Sequence, residues 1–300
     1  MLLTRTAGPE DLESISELCS TALTKDPDDA GSLAELLWGS PGGRPELRLV
    51  AEDEHRVVGV VMAALGAQPS GAPVGYVDLL AVSPEAQGQG IGRKLLDAVE
   101  QAIKGAGATD ARVGGNAPCY AWPGVDLEYS AAIGLLESAG YRACGDAVNM
   151  IVRLSAAPLD TTVDERRLAD VGISIRALRA PDEPAFSSWI ERFWSDEWAW
   201  EASRALVKES AGCYVAVRGS DLVAFAAYGP NRPSWFGPMG TVPAEQRQGL
   251  GSVLLRRCLA DLHRAGKVDA TIGWVGPTAF YRRAVGATFG RTFRFYKKSL

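Results

Sequence analysis

Apolar positions along the chain fall into two kinds of pattern, short strand-like runs and longer stretches with one apolar face. Residues 47–52 and 56–64 read as two strands joined by a short polar turn, and 76–82 as a third. Residues 91–106 then place Ile91, Leu95, Leu96, Val99 and Ile103 on one side of a helix. The same order returns further on. Strands at 213–217, 222–228 and 236–242 lead into a helix at 250–265, whose apolar face is Leu250, Val253, Leu254, Cys258, Leu259 and Leu262. A strand at 3–6 or 173–178 and a helical region open each series. A strand at 111–115 or 270–274, a helix, and a closing strand at 147–154 or 292–297 end it.

The repetition is also literal. Residues 79–92 can be laid on 238–251 without a gap, at an offset of 159 residues, and both segments run from an apolar strand through a Pro-containing turn and a glycine-rich loop into a helix. Internal self-similarity of this kind fixes architecture before local detail does. It predicts two tandem domains, 1–155 and 171–300, with the mostly polar stretch 156–170 as linker.

Composition narrows the chemistry. Ordinary apolar and charged fractions exclude disorder and coiled coil, and no apolar stretch is long enough to span a membrane. The first 20 residues carry no basic segment leading into an apolar run, so a cytoplasmic protein without a membrane role is expected. Five cysteines without a C-x-x-C pair and only two histidines leave little material for a disulfide framework, a metal cluster or a histidine-dependent nucleophile, and no metal is expected. Residues 1–155 hold 11 Lys and Arg against 21 Asp and Glu, whereas 156–300 hold 20 against 15. The basic residues of the second half are scattered, with no run interleaved with aromatics, so nucleic acid is not expected as a partner.

The repeated loop carries the first functional signal. In Gln87-Gly88-Gln89-Gly90-Ile91-Gly92 and Gln246-Arg247-Gln248-Gly249-Leu250-Gly251, glycines let the backbone approach a ligand closely as a helix begins. Free amides and the positive end of the helix dipole then favour an anion such as a pyrophosphate. Neither copy ends in the Gly-Lys-Ser/Thr of a P-loop. Nor does G-x-G-x-x-G fit, because Arg93 occupies the place of its third glycine.

Both segments resemble the Q/R-x-x-G-x-G/A acyl-CoA loop of the GNAT N-acetyltransferase superfamily. The resemblance takes in the strand before the loop, the Ser-Pro or Val-Pro turn, the loop and the following helix. With looser order of elements it covers nearly the whole chain, in the tandem two-domain layout of bacterial members. It implies an α+β (mixed α/β) protein of two tandem GNAT folds, each a splayed mixed β-sheet flanked by helices, with acetyl-CoA as co-substrate. The pantetheine arm would pair with strand backbone around Leu80, Ala81 and Val82, or Met239, Gly240 and Thr241. The pyrophosphate would lie on Gln87, Gly88, Gln89, Gly90, Ile91, Gly92 and Arg93, or on Gln246, Arg247, Gln248, Gly249, Leu250, Gly251 and Ser252.

The family acid, a tyrosine in the helix after the fifth strand, falls on Tyr281, with one extra residue before Gly286; in the first half Leu136 takes that position. A carboxylate able to act as base stands at Asp78, where the second half has Gly237. Either residue could instead be a packing or solvent-facing member of its element. The segment 189–201 holds four of the eight tryptophans, and the resemblance makes it a wall of the acceptor pocket, built from Trp194, Glu197 and Trp198. Core packing by the two tryptophans is the competing reading. Asp196 and Glu201 are further candidate bases, and 119–126 could shape a pocket in the first half.

These residues imply acetyl transfer to a small-molecule primary amine by direct attack, in a monomer or homodimer, with Tyr281 drawing the chemistry to the second half. Two alternatives stay open: a non-catalytic pair that senses acyl-CoA or sequesters an amine, and transfer to oxygen or of a longer acyl chain.

Overall fold

The computed structural model describes residues 2–26, 29–67 and 71–300. Its first half runs β1 (Leu3–Thr6), α1 (Leu12–Ala22), α2 (Ala30–Trp38), β2 (Gly43–Asp53), β3 (Arg56–Ala67), β4 (Pro73–Val82), α3 (Ile91–Gly105), β5 (Asp110–Val113), β6 (Val125–Asp126), α4 (Ser130–Ser138) and β7 (Arg142–Arg153). The second runs α5 (Thr162–Asp170), β8 (Ile173–Ala177), α6 (Glu183–Phe193), α7 (Asp196–Ser203), β9 (Gly212–Arg218), β10 (Asp221–Tyr228), β11 (Trp235–Thr241), α8 (Leu250–Arg264), β12 (Asp269–Ile272), α9 (Thr278–Val285) and β13 (Thr288–Ser299). The expected tandem mixed α/β architecture is present.

The chain divides into two compact units, one of residues 1–147 with 292–300 and one of residues 148–291. In the first, β1, β2, β3 and β4 form an antiparallel series, β5 joins β4 in parallel, and the end of β13 pairs antiparallel with β5 through Tyr296↔Val113 to Ser299↔Asp110. In the second, β8 to β11 repeat the antiparallel series, β12 joins β11 in parallel, and the end of β7 pairs with β12 through Met150↔Ile272 to Arg153↔Asp269. Each closing strand therefore completes a different sheet from the one that sequence order suggests. Apolar alternation makes a segment a strand but does not say which edge it joins. The stretch 156–170 is also not plain linker, since α5 buries Leu168 in the second core.

Each unit packs its motif helix on its own sheet. Leu95, Leu96, Val99 and Ile103 of α3 are fully buried with Leu47, Val61 and Tyr296, and Val253, Leu254, Cys258 and Leu259 of α8 with Ala216, Ala226 and Phe236. At about 1.5–3 kcal/mol for each large side chain taken out of water, these faces hold the loop at the helix N-terminus against its strand.

The splayed strands and the candidate acyl-transfer site

In each unit the parallel pair of strands separates part-way along. β4 and β5 pair at Gly75↔Ala111, Tyr76↔Arg112 and Val77↔Val113 and no further, and β11 and β12 stop at Phe236↔Ile272. On its other edge β4 stays paired to β3, with Ser83 donating its N–H to the Val58 carbonyl at 2.9 Å. Backbone groups alternate sides along a strand. Counting back from Ser83, Ala81 faces β3, whereas Leu80 and Val82 turn N–H and C=O into the gap left by β5. In the second unit Val242 donates to Val223 at 3.0 Å, which turns Met239 and Thr241 into the gap and Gly240 away from it. Of the six strand positions predicted from sequence, four offer backbone to an extended ligand.

The loops follow the strands in the same way in both units. Gln87 Nε2 donates to the Val82 carbonyl at 3.0 Å, and Gln246 Nε2 to the Thr241 carbonyl at 3.3 Å, so each glutamine ties its loop to the strand end. Gly90 and Gly249 cap the helices in the left-handed region, at φ 78° and 89°. The first helical bonds run from Lys94 to Gly90 and from Val253 to Gly249, which leaves the preceding amides of both helices without intrahelical acceptors. Residues 87–90 are exposed. Arg247, at φ 65°, holds the left-handed conformation that Gly88 holds at 76°.

Between Val77 and Leu79 the register of β4 against β3 slips, and Asp78 is the extra residue. A bulge of this kind re-aims a side chain. Asp78 lines a cavity of about 30 Å³ walled by Leu37, Val113, Cys119 and Trp122, and its Oδ2 accepts a 2.7 Å hydrogen bond from Asn116 Nδ2. The residue is only half-buried by surface area because it opens onto the cavity. Its carboxyl nevertheless lies deep enough that burial pushes its pKa well above the carboxylate range, and the Asn116 hydrogen bond opposes that rise only in part. Trp122 Nε1 donates to Asp26 Oδ2 at 2.9 Å, which fixes the indole as a wall. Asn116 carries no motif that sequence reading could detect; it reaches Asp78 because β5 turns away at Gly114 and Gly115, both at positive φ.

The second unit has its own bulge in β11, between Phe236 and Met239, where Gly237 and the cis-bonded Pro238 replace Asp78 and Leu79. No carboxylate stands there. Tyr281, on α9, packs edge-on against Phe236 and Phe280, and burial pushes its phenol up to about 12, so it is neutral and able to donate a proton. Among the described residues its hydroxyl has no hydrogen-bond partner.

The tryptophan-rich segment is two helices broken at Trp194. Trp194 lies so close to the backbone of Gly240 that a Cβ there would come within 2.4 Å of the indole, and it stacks on Trp198 at 6.2 Å, both against Phe225. Both tryptophans are half-buried and pack against the second unit's apolar core beside the strand. Glu197 is exposed in the first turn of α7, whose N-cap is Ser195. The buried acid of that helix is Glu201, 9% exposed, whose Oε1 accepts from Asn231 Nδ2 at 2.7 Å; burial raises its pKa to about 8. Among the described residues no group of His, Cys, Asp and Glu is arranged to hold a metal, and no helix is long and apolar enough to cross a membrane.

A sequence profile of the acetyltransferase (GNAT) family matches residues 12–118 and 174–286. The chain belongs to the GNAT acetyltransferase family. This GNAT chain is therefore an acetyltransferase-family enzyme with two copies of the family fold. Its fold is similar to that of a GCN5-related glucosamine N-acetyltransferase region in a fungal multi-domain GH3 β-N-acetylglucosaminidase, with a TM-score of 0.77 at 18% identity, covering 99% of this chain and 38% of that one. It is also similar to a tandem GNAT protein from the clavulanic acid biosynthesis pathway, with a TM-score of 0.73 at 18% identity over 100% and 98% of the two chains. A GCN5-related N-acetyltransferase from Sphaerobacter thermophilus gives a TM-score of 0.65 at 18% identity over 99% and 95%. The chain thus spans well under half of the fungal protein and nearly all of the other two. No curated protein matches it in sequence.

Proposed function

We propose that the chain transfers an acetyl group from acetyl-CoA to a small primary amine, and that the reaction runs in the first unit. The observation that carries this reading is the bulge-aimed Asp78, half-buried against a cavity at the point where β4 and β5 part. Acetyl-CoA supplies an activated thioester carbonyl. The loop amides of 88–93 hold its pyrophosphate, and Leu80 and Val82 meet the extended arm and can donate to the carbonyl oxygen as it gains charge.

Asp78 takes the proton that makes the amine nucleophilic. Burial suits it to that task, because a carboxylate in a poorly solvated site is more basic than one in water. Nitrogen then bonds to the carbonyl carbon, the carbon–sulfur bond breaks, and the second proton, shed by the new amide nitrogen, passes through water to the departing thiolate, since Leu136 supplies none. Asn116 orients Asp78 by its hydrogen bond and drops out of the proton transfer itself.

Thiol release from acetyl-CoA with a panel of primary amines tests the assignment. Asp78→Asn is expected to lower turnover by about 10²- to 10⁴-fold with acetyl-CoA affinity unchanged. Unchanged turnover would refute the role of Asp78. A second reading is favoured by Tyr281, whose phenol burial keeps neutral and whose hydroxyl has no partner among the described residues, which suits the acid of a reaction in the second unit. Loss of turnover in Tyr281→Phe but not in Asp78→Asn would move the chemistry there. Alcohols and longer-chain acyl-CoA in the same panel separate N-acetylation from its neighbouring chemistries.

A further inference from the structure

We propose that Arg167, on α5, is a phosphate-binding residue of the second glycine loop, an attachment the first loop lacks. The proposal rests on the reading of that loop as an acetyl-CoA site and adds a side chain that the loop motif does not contain. Arg167 Nη2 donates to the Gln248 carbonyl at 2.9 Å, one residue before the left-handed Gly249 that caps α8. The same nitrogen lies 3.0 Å from where a Cβ on Gly249 would stand, whereas the corresponding place beside Gly90 has nothing within 4 Å. A guanidinium therefore stands beside the second loop where the first offers open space.

The placement is held from behind. Asp164 and Glu165 of α5 pair with Arg256 and Arg257 of α8, and Arg256 Nη1 also donates to the Asp160 carbonyl at 2.9 Å. These contacts lay α5 along α8. The side chain of Arg167 remains 53% exposed, and its nearest carboxylate, Asp164, is 3.9 Å away and already engaged by Arg256. A guanidinium has five N–H donors in a planar fork that matches a phosphate, and the Gln248 carbonyl takes one of them. The others are left for an anion on the loop amides. On the far side, Arg218 pairs with Glu245, which also accepts from Gln248 Nε2 at 2.6 Å. The loop is thereby braced on that side.

The test isolates the second loop in the full chain by blocking the first with Gly90→Trp, then titrates acetyl-CoA and 3′-dephospho-acetyl-CoA by calorimetry. Added to this background, Arg167→Gln is expected to weaken acetyl-CoA about ten-fold, with Arg167→Lys recovering part of the loss and the melting temperature unchanged. An equal loss for the dephospho ligand identifies the pyrophosphate as the partner of Arg167, and a loss confined to acetyl-CoA identifies the 3′-phosphate. Unchanged affinity in Arg167→Gln, with binding abolished by Gly249→Trp, overturns the role of Arg167 and leaves the loop reading intact. No binding in the Gly90→Trp chain overturns both.

Discussion

Replacing Glu201 by Gln is expected to stabilise the second unit progressively as pH rises from about 4.5 to about 8. Glu201 is buried, its ordinary value of 4.5 is raised to about 8 by burial, and Arg204 offsets this only partly. Below pH 4.5 the residue is protonated in both folded and unfolded chains, and its full contribution to stability is present. Between 4.5 and 8 the unfolded chain ionises while the folded one keeps its proton, so stability is lost as pH climbs through that window. Each pH unit is worth about 1.4 kcal/mol, and the gap of about 3.5 pH units bounds the loss near 5 kcal/mol; relaxation around a buried charge makes about 2–4 kcal/mol the working figure.

Glutamine has no such proton to lose, and its carbonyl can still accept the 2.7 Å bond from Asn231. The difference between Glu201→Gln and the parent chain is therefore expected to be small at pH 5 and to reach a few kcal/mol at pH 8. Urea unfolding at pH 5, 6, 7 and 8, followed by tryptophan fluorescence, reads it directly, because other titrating groups are common to both chains. Parallel stability curves across that range would refute the argument from burial. A difference of opposite sign would mean that Glu201 is ionised and held by Arg204.

Asp78 should give kcat/KM an acid limb lying above the usual carboxylate range, since a base works only when deprotonated and burial raises its pKa; a limb near the ordinary value of 3.8 in a pH–rate profile would contradict this. Phe225→Ala should cost about 3–5 kcal/mol in denaturant unfolding, because the ring is fully buried among Phe186, Trp189, Trp194 and Trp198. Tyr281→Phe should change stability by less than about 0.5 kcal/mol, as its hydroxyl makes no hydrogen bond to a described residue. A larger loss on melting would show that the hydroxyl is structural.

The parts legible in sequence were those that one segment specifies alone. Gly90 and Gly249 announce a left-handed cap, the preceding apolar run a strand, and the spacing of Leu95, Leu96 and Val99 a buried helix face. What depends on pairing was not legible. A one-residue slip between β3 and β4 makes Asp78 a bulge, and no local pattern encodes where β4 and β5 part. The exchange of closing strands was hidden for the same reason. One further repeat escaped because its spacing differs: Arg5 grips Asp11 and Arg176 grips Asp182 through paired hydrogen bonds, at an offset of 171 rather than 159. Unequal lengths between the opening strand and the loop shift the two registers. The tryptophans at 194 and 198 were half legible, since their density marks a special wall, but the close approach of Trp194 to Gly240 depends on the strand that α6 packs against and no local pattern encodes it.

The contrast between the two copies follows from which atoms each task uses. Holding a pyrophosphate and an extended arm needs backbone amides, which any sequence supplies once the strand splays and the loop turns. Both units therefore keep Leu80 and Val82, or Met239 and Thr241, directed into the gap even where side chains differ. Acid–base chemistry needs particular side chains, and there the copies part: Asp78 against Gly237 at the bulge, Leu136 against Tyr281 in the helix, Ala81 against a Gly240 covered by Trp194. A duplicated fold can lose its chemistry by two or three substitutions and retain its ligand. Acetyl-CoA titration should accordingly find sites on both units, while amine turnover should depend on the residues of one. Finding both activities abolished together by a single side-chain change such as Asp78→Asn would show that binding and chemistry are not separable in this way.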